Sequence, residues 1–258
     1  MASVTGRING IKQPYGGYLP ISDFSIEKFE DSSELMEIEC INPTLVGIVV
    51  DYLSRFMLGS PAKDAFAISL LGAKYAEKFG VHDARALSYV ALRHIKDLSD
   101  DSIVNACKLV TYDGWYRNPM SMTQAKNEWD VNPDEATINN IRIMINRTLS
   151  FWKKTGPIVT DGFTFEGAYT DIIDSGDGDY LTYDGLWDMK VSKHPPKPTH
   201  TLQILIYWIM GLHTGREEFL RIKRIGIYNP RLNCSYIIDT DRIPNETRLF
   251  VEKDVIGY

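Results

Sequence analysis

The hydrophobic pattern of this chain changes period once, at Gly156-Pro157, and that change limits the fold more than any other feature. Before it, apolar residues recur at three- and four-residue spacing. TLVGIVVDYLSRFML (44–58), PAKDAFAISLLGAKYAEKF (61–79), HDARALSYVALRHIKDL (82–98), DSIVNACKLVTYDGWYR (101–117) and EATINNIRIMINRTLSFWKKTG (135–156) each read as a helix. After it, GFTFEGAYTDII (162–173), GDYLT (178–182) and GLWDMKVS (185–192) alternate or run apolar with glycine punctuation, as strands of a tight meander do. A helix at 199–214, a strand at 219–232 and a further strand at 235–240 complete the pattern. Helix, three strands, helix, strand predicts an α/β fold around one sheet. Residues 1–155 are expected as a mostly helical portion, separate from or integral to a strand-bearing core over 156–258.

Residues 1–40 show little periodicity and predict an irregular arm with a short strand at LMEIECI (35–41). Asn42-Pro43-Thr44 reads as a helix start, with Thr44 among the caps. No internal repeat or low-complexity segment is present.

At 258 residues and 44% hydrophobic composition the chain can bury a substantial core. A net charge of −6 offers no general attraction for nucleic acid or anionic membrane, so any such binding must be local. Cys40, Cys107 and Cys234 are far apart and outside metal-site spacing, which fits thiols in a reducing cytoplasm. The N-terminal residues lack an apolar leader, and the longest apolar run, LQILIYWIMGL (202–212), is too short to span a bilayer. A soluble, cytoplasmic protein with no membrane partner is expected. No serine-hydrolase elbow, nucleotide-binding glycine loop or dinucleotide fingerprint occurs, and His82, His94 and His213 have no partner at ligand spacing.

The chemistry concentrates in GDGDYLTYDGLWDMKVS (176–192). Residues two apart on a strand share a face, so Asp188 and Lys190 point to one side while Trp187, Met189 and Val191 form the core face. Asp179 lies nine positions before Asp188, and a turn at Tyr183-Asp184-Gly185 would set the two aspartates side by side on adjacent antiparallel strands. Two such carboxylates suit a hard cation, Mg²⁺ or Mn²⁺. A metal there activates water and stabilises charge on a phosphoryl group, and Lys190 can orient the attacking water or neutralise developing charge. The same residues also fit a solvated acidic loop with an Asp188–Lys190 ion pair.

Three further features bear on that choice. Gln203 and Tyr207 sit four apart, on one face of an otherwise almost wholly apolar helix, where a glutamine is costly without partners. This helix directly follows the strand of Asp188, so its N-terminal half can return beside the carboxylates. Asp51, in VGIVVDYLSRF (46–56), either faces solvent on an amphipathic helix or points into a site.

Together these residues resemble the PD-(D/E)xK nuclease superfamily, in particular its RecB-like exonuclease branch. The D-x-K is Asp188-Met189-Lys190, the G-x-x-D is Gly176-Asp177-Gly178-Asp179, and the Q-x3-Y runs from Gln203 to Tyr207. The branch's G-x3-H helix motif departs here to Gly47-x3-Asp51, and the strand-to-strand spacing is short, as for a compact hairpin. The resemblance covers residues 160–232 well and the helical first half only loosely. It implies a restriction-endonuclease-like core, a mixed central sheet flanked by helices. It further implies Mg²⁺-dependent (or Mn²⁺-dependent) phosphodiester hydrolysis of DNA, with RNA an alternative, and exonuclease or single-strand preference by analogy. In that reading Asp179, Asp188 and Asp51 hold the metal, Lys190 serves the water or the transition state, and Gln203 and Tyr207 position the substrate.

Glu166 is a reserve ligand from the first strand. The loop SKHPPKPTH (192–200), with Lys193, His194, Lys197 and His200, and the later Arg221, Lys223, Arg224 and Arg231, are candidate phosphate contacts or plain solvated surface. Two other functions remain open. One is a non-catalytic binding or regulatory subunit of a repair, phage or defence complex, with a protein partner. The other, weaker, is a phosphodiesterase acting on a small nucleotide.

Overall fold

The computed structural model describes residues 2–122 and 131–258. The chain divides into two compact units, Met1–Glu30 with Trp152–Tyr258, and Asp31–Phe151. It thus changes unit twice, where the sequence reading drew a single line at 155/156. The first unit opens with β1 (Ala2–Ser3), α1 (Val4–Asn9) and β2 (Ser25–Lys28), so the arm expected to be irregular carries two strands and a helix.

The second unit is helical among its described residues. α2 (Pro43–Met57) starts where expected, but its cap is Asn42, whose Oδ1 accepts from Thr44 N–H at 2.8 Å. Val46, Val49, Val50 and Leu53 form its buried stripe. The expected helix 61–79 is two, α3 (Ala62–Ala65) and α4 (Ala67–Lys78), joined at the buried Phe66. α5 (Ala84–His94) follows, and 101–117 divides into α6 (Asp100–Val110) and α7 (Asp113–Arg117). The break coincides with a close approach: a Cβ at Gly72 on α4 would lie 1.9 Å from the Tyr112 carbonyl oxygen. α8 (Pro119–Met122) and the long α9 (Glu135–Thr155) come next.

No strand forms at 35–41, because α9 side chains take its backbone groups. Asn140 Oδ1 accepts from Met36 N–H (2.8 Å), Asn140 Nδ2 donates to Met36 O (2.9 Å), and Thr137 Oγ1 accepts from Cys40 N–H (2.9 Å). Met36 and Ile38 are left exposed.

In the first unit, β3 (Thr160–Thr164), β4 (Ile173–Ser175), β5 (Asp177–Leu181) and β6 (Gly185–Met189) lead into α10 (Pro198–His213). After it come α11 (Glu217–Leu220), β7 (Arg224–Asn229), β8 (Cys234–Asp239) and α12 (Asn245–Phe250), which continues as a π-helical stretch, Val251–Ile256. The expected strands 162–173 and 219–232 are each shorter than predicted, the latter beginning with α11. β1 and β4 form a small parallel pair; the main sheet has the order β2-β8-β7-β6-β5-β3. Within it only β6 and β7 run parallel, with α10 as the crossover, so the sheet is mixed and the architecture α/β.

That crossover buries β6 on both faces, as parallel pairing requires. Trp187 packs against Trp152 and, across the ladder, Tyr180, at ring-centroid distances of 6.0 Å for Trp152–Trp187 and 4.8 Å for Trp152–Tyr180. Its indole also needs a glycine beside it, since a Cβ at Gly226, its register partner on β7, would lie 2.4 Å from the ring. The opposite face, with Leu186, belongs to the core shared with Leu202, Leu205 and Ile209 of α10. Both faces are therefore core, where the sequence reading allowed one. Among the described residues no helix is long and apolar enough to cross a membrane.

Candidate metal and phosphoryl site

The β5–β6 hairpin pairs Leu181 with Leu186 and Tyr180 with Trp187. One further step in this register sets Asp179 opposite Asp188, on the face away from Trp187. There the ladder stops. Met189 N–H, due next for a carbonyl of β5, donates instead to Asp179 Oδ2 at 2.8 Å. A side-chain carboxylate substitutes for the backbone acceptor, and the two strands part at the pair of aspartates.

Asp188 is 3% exposed, and Lys190 Nζ stands 3.0 Å from its Oδ1 and 2.9 Å from its Oδ2. The hydrogen-bonded strand ends at Met189, but Lys190 N–H still donates to Tyr228 O on β7 at 2.9 Å, which carries the extended geometry one residue further. Asp188 and Lys190 thus share a face, as the two-residue period predicts. Beyond them the buried Asn229 braces the chain, its Nδ2 donating to Ser192 O at 2.9 Å.

α10 supplies the other wall. Gln203 Nε2 donates to Tyr207 Oη at 2.7 Å, so the glutamine has the partner its apolar setting demands. Burial holds the Tyr207 phenol well above its ordinary pKa, and the carboxylates of Asp188, Asp177 and Asp179 push the same way, against the hydrogen bond from Gln203. His200, one turn before Gln203, is pushed down to about 4 by burial and by the ammonium groups of Lys190 and Lys197. The neutral imidazole accepts the Lys197 N–H at Nδ1, at 3.2 Å, closing the first turn of the helix. The turn Pro14–Gly17 packs on this helix start, where a Cβ at Gly17 would lie 2.8 Å from Pro198 Cβ.

Asp179, Asp188, Lys190, Gln203 and Tyr207 are therefore linked through hydrogen bonds and mutual fields. Sequence reasoning missed two neighbours of this set. Asp177 lies two positions before Asp179 on β5, and the same period that aligned Asp188 with Lys190 could have found it. His200, read only as part of a basic connecting loop, is three residues before Gln203 on one helix face.

The remaining candidates have other partners or lie on loops. Asp51 belongs to the second unit, where its Oδ1 accepts from Arg55 Nε at 2.9 Å in a pair four residues apart on α2. Glu166 lies beyond the end of β3, exposed and hydrogen-bonded by Thr164 Oγ1. Lys193, His194 and Lys197 are exposed on the loop into α10. Among the described residues, no group of three or more His, Cys, Asp or Glu is gathered closely enough to hold a metal ion.

The donor set still suits a hard cation of small demand. The two carboxylates, Asp179 and Asp188, offer hard oxygens. Mg²⁺ commonly takes one or two protein carboxylates and fills its other positions with water and phosphate oxygens. Comparison of the chain with protein-family models, with curated proteins and with solved structures returns no match.

Proposed function

We propose that this protein is a Mg²⁺- or Mn²⁺-dependent nuclease of the PD-(D/E)xK type that hydrolyses phosphodiester bonds in DNA, with an exonuclease or single-strand preference by analogy. One observation carries the reading: where β5 and β6 part, the Asp179 carboxylate takes the N–H of Met189, the residue after Asp188, and the Lys190 ammonium stands 2.9 Å from the Asp188 carboxylate. The chain order around it supports the same reading. α9 is followed by antiparallel β3, β5 and β6, then by α10 and by β7 parallel to β6, which fits the mixed sheet flanked by helices that the resemblance implies.

A divalent ion held by Asp179 and Asp188 would supply Lewis acidity to a water and to a phosphoryl oxygen. The chain's own groups do the rest. Lys190, held on the same face as Asp188, donates an ammonium N–H to the attacking water or to the negative charge gathering on phosphorus-bound oxygen. Gln203 orients the Tyr207 hydroxyl, and the high pKa of that phenol keeps it a hydrogen-bond donor throughout the working pH range. The neutral His200 adds no competing cation beside Lys190 and fixes the start of α10, on which Gln203 and Tyr207 stand.

A second reading has a specific observation in its favour. The Lys190 ammonium already neutralises Asp188, and no three-ligand cluster is present among the described residues, as suits a nuclease-like subunit that binds without cleaving. Labelled single- and double-stranded DNA and RNA, incubated with purified protein and Mg²⁺ or Mn²⁺, separate the two. Metal-dependent cleavage of DNA that Asp188→Ala and Lys190→Ala both abolish is the expected result. Oligonucleotide binding without cleavage by the wild type would give the lead to the binding subunit.

A further inference from the structure

The exposed face of α4 and its neighbours in the helical unit departs from the acidic character of the chain, whose net charge is −6. Along α4 the outward positions, spaced three and four apart, are Leu71, Lys74, Tyr75 and Lys78, and all are exposed. The helix has one acid, Glu77. It is turned aside to α5, accepting from Arg85 N–H at 3.0 Å and lying 3.7 Å from Arg85 Nε. Tyr116 of α7 extends the face, its ring centroid 5.9 Å from that of Tyr75. Lys78 Nζ stands 5.2 Å over the Tyr75 ring.

The adjoining helix repeats the composition. α5, ARALSYVALRH, contains no acid, and its exposed residues include Arg85, Tyr89 and Arg93. Lys63 Nζ from α3 stands 5.9 Å from the Tyr89 ring. Two tyrosines, each 38% exposed, are thus presented with an ammonium group at each ring and no acid on their own helix faces. An apolar docking surface for another protein would leave these lysines unmatched. A polyanion whose units each offer a flat ring and a phosphate matches both.

We propose that the α4–α5 face is a binding track for single-stranded nucleic acid, with bases stacked on Tyr75 and Tyr89 and phosphates met by Lys74, Lys78 and Lys63. The track supplies locally the affinity that the acidic chain lacks overall. It does not depend on the catalytic reading, because it lies wholly within the helical unit and acts in binding alone. Stacking of this kind tolerates any base and so predicts little sequence preference.

The test is fluorescence anisotropy of a fluorescein-labelled 20-nucleotide oligothymidylate with the full chain, in EDTA so that cleavage plays no part. Tyr75→Ala and Tyr89→Ala are expected to weaken binding by about tenfold each, with Tyr75→Phe close to wild type because the ring is kept. Lys74→Glu with Lys78→Glu should flatten the slope of log K against log salt by about 1.4, at about 0.7 for each phosphate no longer neutralised. All these side chains are exposed, and circular dichroism checks that each variant folds. Wild type that does not bind the oligonucleotide, Tyr75→Ala that binds like wild type, or equal affinity for a duplex would each overturn the track. So would binding to phosphatidylserine vesicles in place of the oligonucleotide, which would assign the face to a membrane surface.

Discussion

Lys190→Ala offers the most direct test of whether the opposed aspartates form a cation site. Asp188's side chain is 3% exposed and Lys190's 26%, so the substitution leaves a carboxylate in the core without its ammonium partner. Removing one partner of a buried ion pair costs about 3–5 kcal/mol. Lys190 reaches water, which replaces part of the lost interaction, so about 2–3 kcal/mol is expected. At about 2–4 °C per kcal/mol for a chain of this size, Tm should fall by roughly 4–12 °C in EDTA. Asp188→Asn in the same background removes the stranded charge and should recover most of the loss. Mg²⁺ should stabilise Lys190→Ala more than wild type, since no ammonium competes for Asp188; saturation at a hundred times Kd contributes about 2.7 kcal/mol. Differential scanning fluorimetry with and without Mg²⁺ reads all of these. If Lys190→Ala melts with the wild type in EDTA, or Asp188→Asn fails to rescue it, the pair does not hold the buried charge, and the reasoning is wrong.

In the helical unit, burial raises the pKa of Asp113, while hydrogen bonds from Ser69 (2.5 Å) and Tyr52 (2.6 Å) resist the shift. A raised native pKa means the folded state keeps its proton longer, so stability falls as pH rises from the unfolded carboxyl value through the native one; Asp113→Asn should lessen that fall in urea titrations at pH 4.5 and 7.5. Asp31 behaves oppositely, its pKa lowered chiefly by the hydrogen bond from Arg147, at 2.5 and 3.0 Å to its two oxygens. Its contribution is full above the unfolded pKa and is lost as pH falls through the native one, so Asp31→Asn should cost up to about 1 kcal/mol at neutral pH, screened as the exposed pair is, and progressively less as pH falls below the unfolded carboxyl value. Gly72→Ala would drive a Cβ to 1.9 Å from the Tyr112 carbonyl, and backbone cannot rotate away; a loss of about 3 kcal/mol or more is expected in the same denaturation assay.

What the sequence disclosed about the fold follows from which interactions are local. α2, α9 and α10 were readable because their apolar stripes and terminal residues lie within the segment that folds. The α6–α7 break was not, because the one turn signal in KLVTYDG, Asp113-Gly114, lies inside α7 and not at the break; the backbone of Tyr112 is met by Gly72, forty residues earlier. LMEIECI has the alternation of a strand and yet is none, since Asn140 and Thr137, about a hundred residues away, take its hydrogen bonds. β2 escaped notice for the converse reason. Its four residues, SIEK, are all exposed and carry no apolar face, and only pairing with β8 at the sheet edge makes them a strand.

The candidate site divides along the same line. Periods of two and four place Lys190 with Asp188 and Tyr207 with Gln203, and both pairs are in contact. Depth was not readable, because a strand with one charged face suggests a surface, whereas the crossover helix α10, which the parallel pairing with β7 requires, packs on that face. This burial changes how the charges should be weighed. On an open surface, Asp179, Asp188 and Lys190 would be an ordinary solvated cluster worth little to stability. Buried on a central strand, Asp188 and its ammonium partner burden the fold, and apolar residues of similar size would cost less. Stability therefore does not account for the cluster, whereas the proposed binding of a cation and a phosphoryl group would.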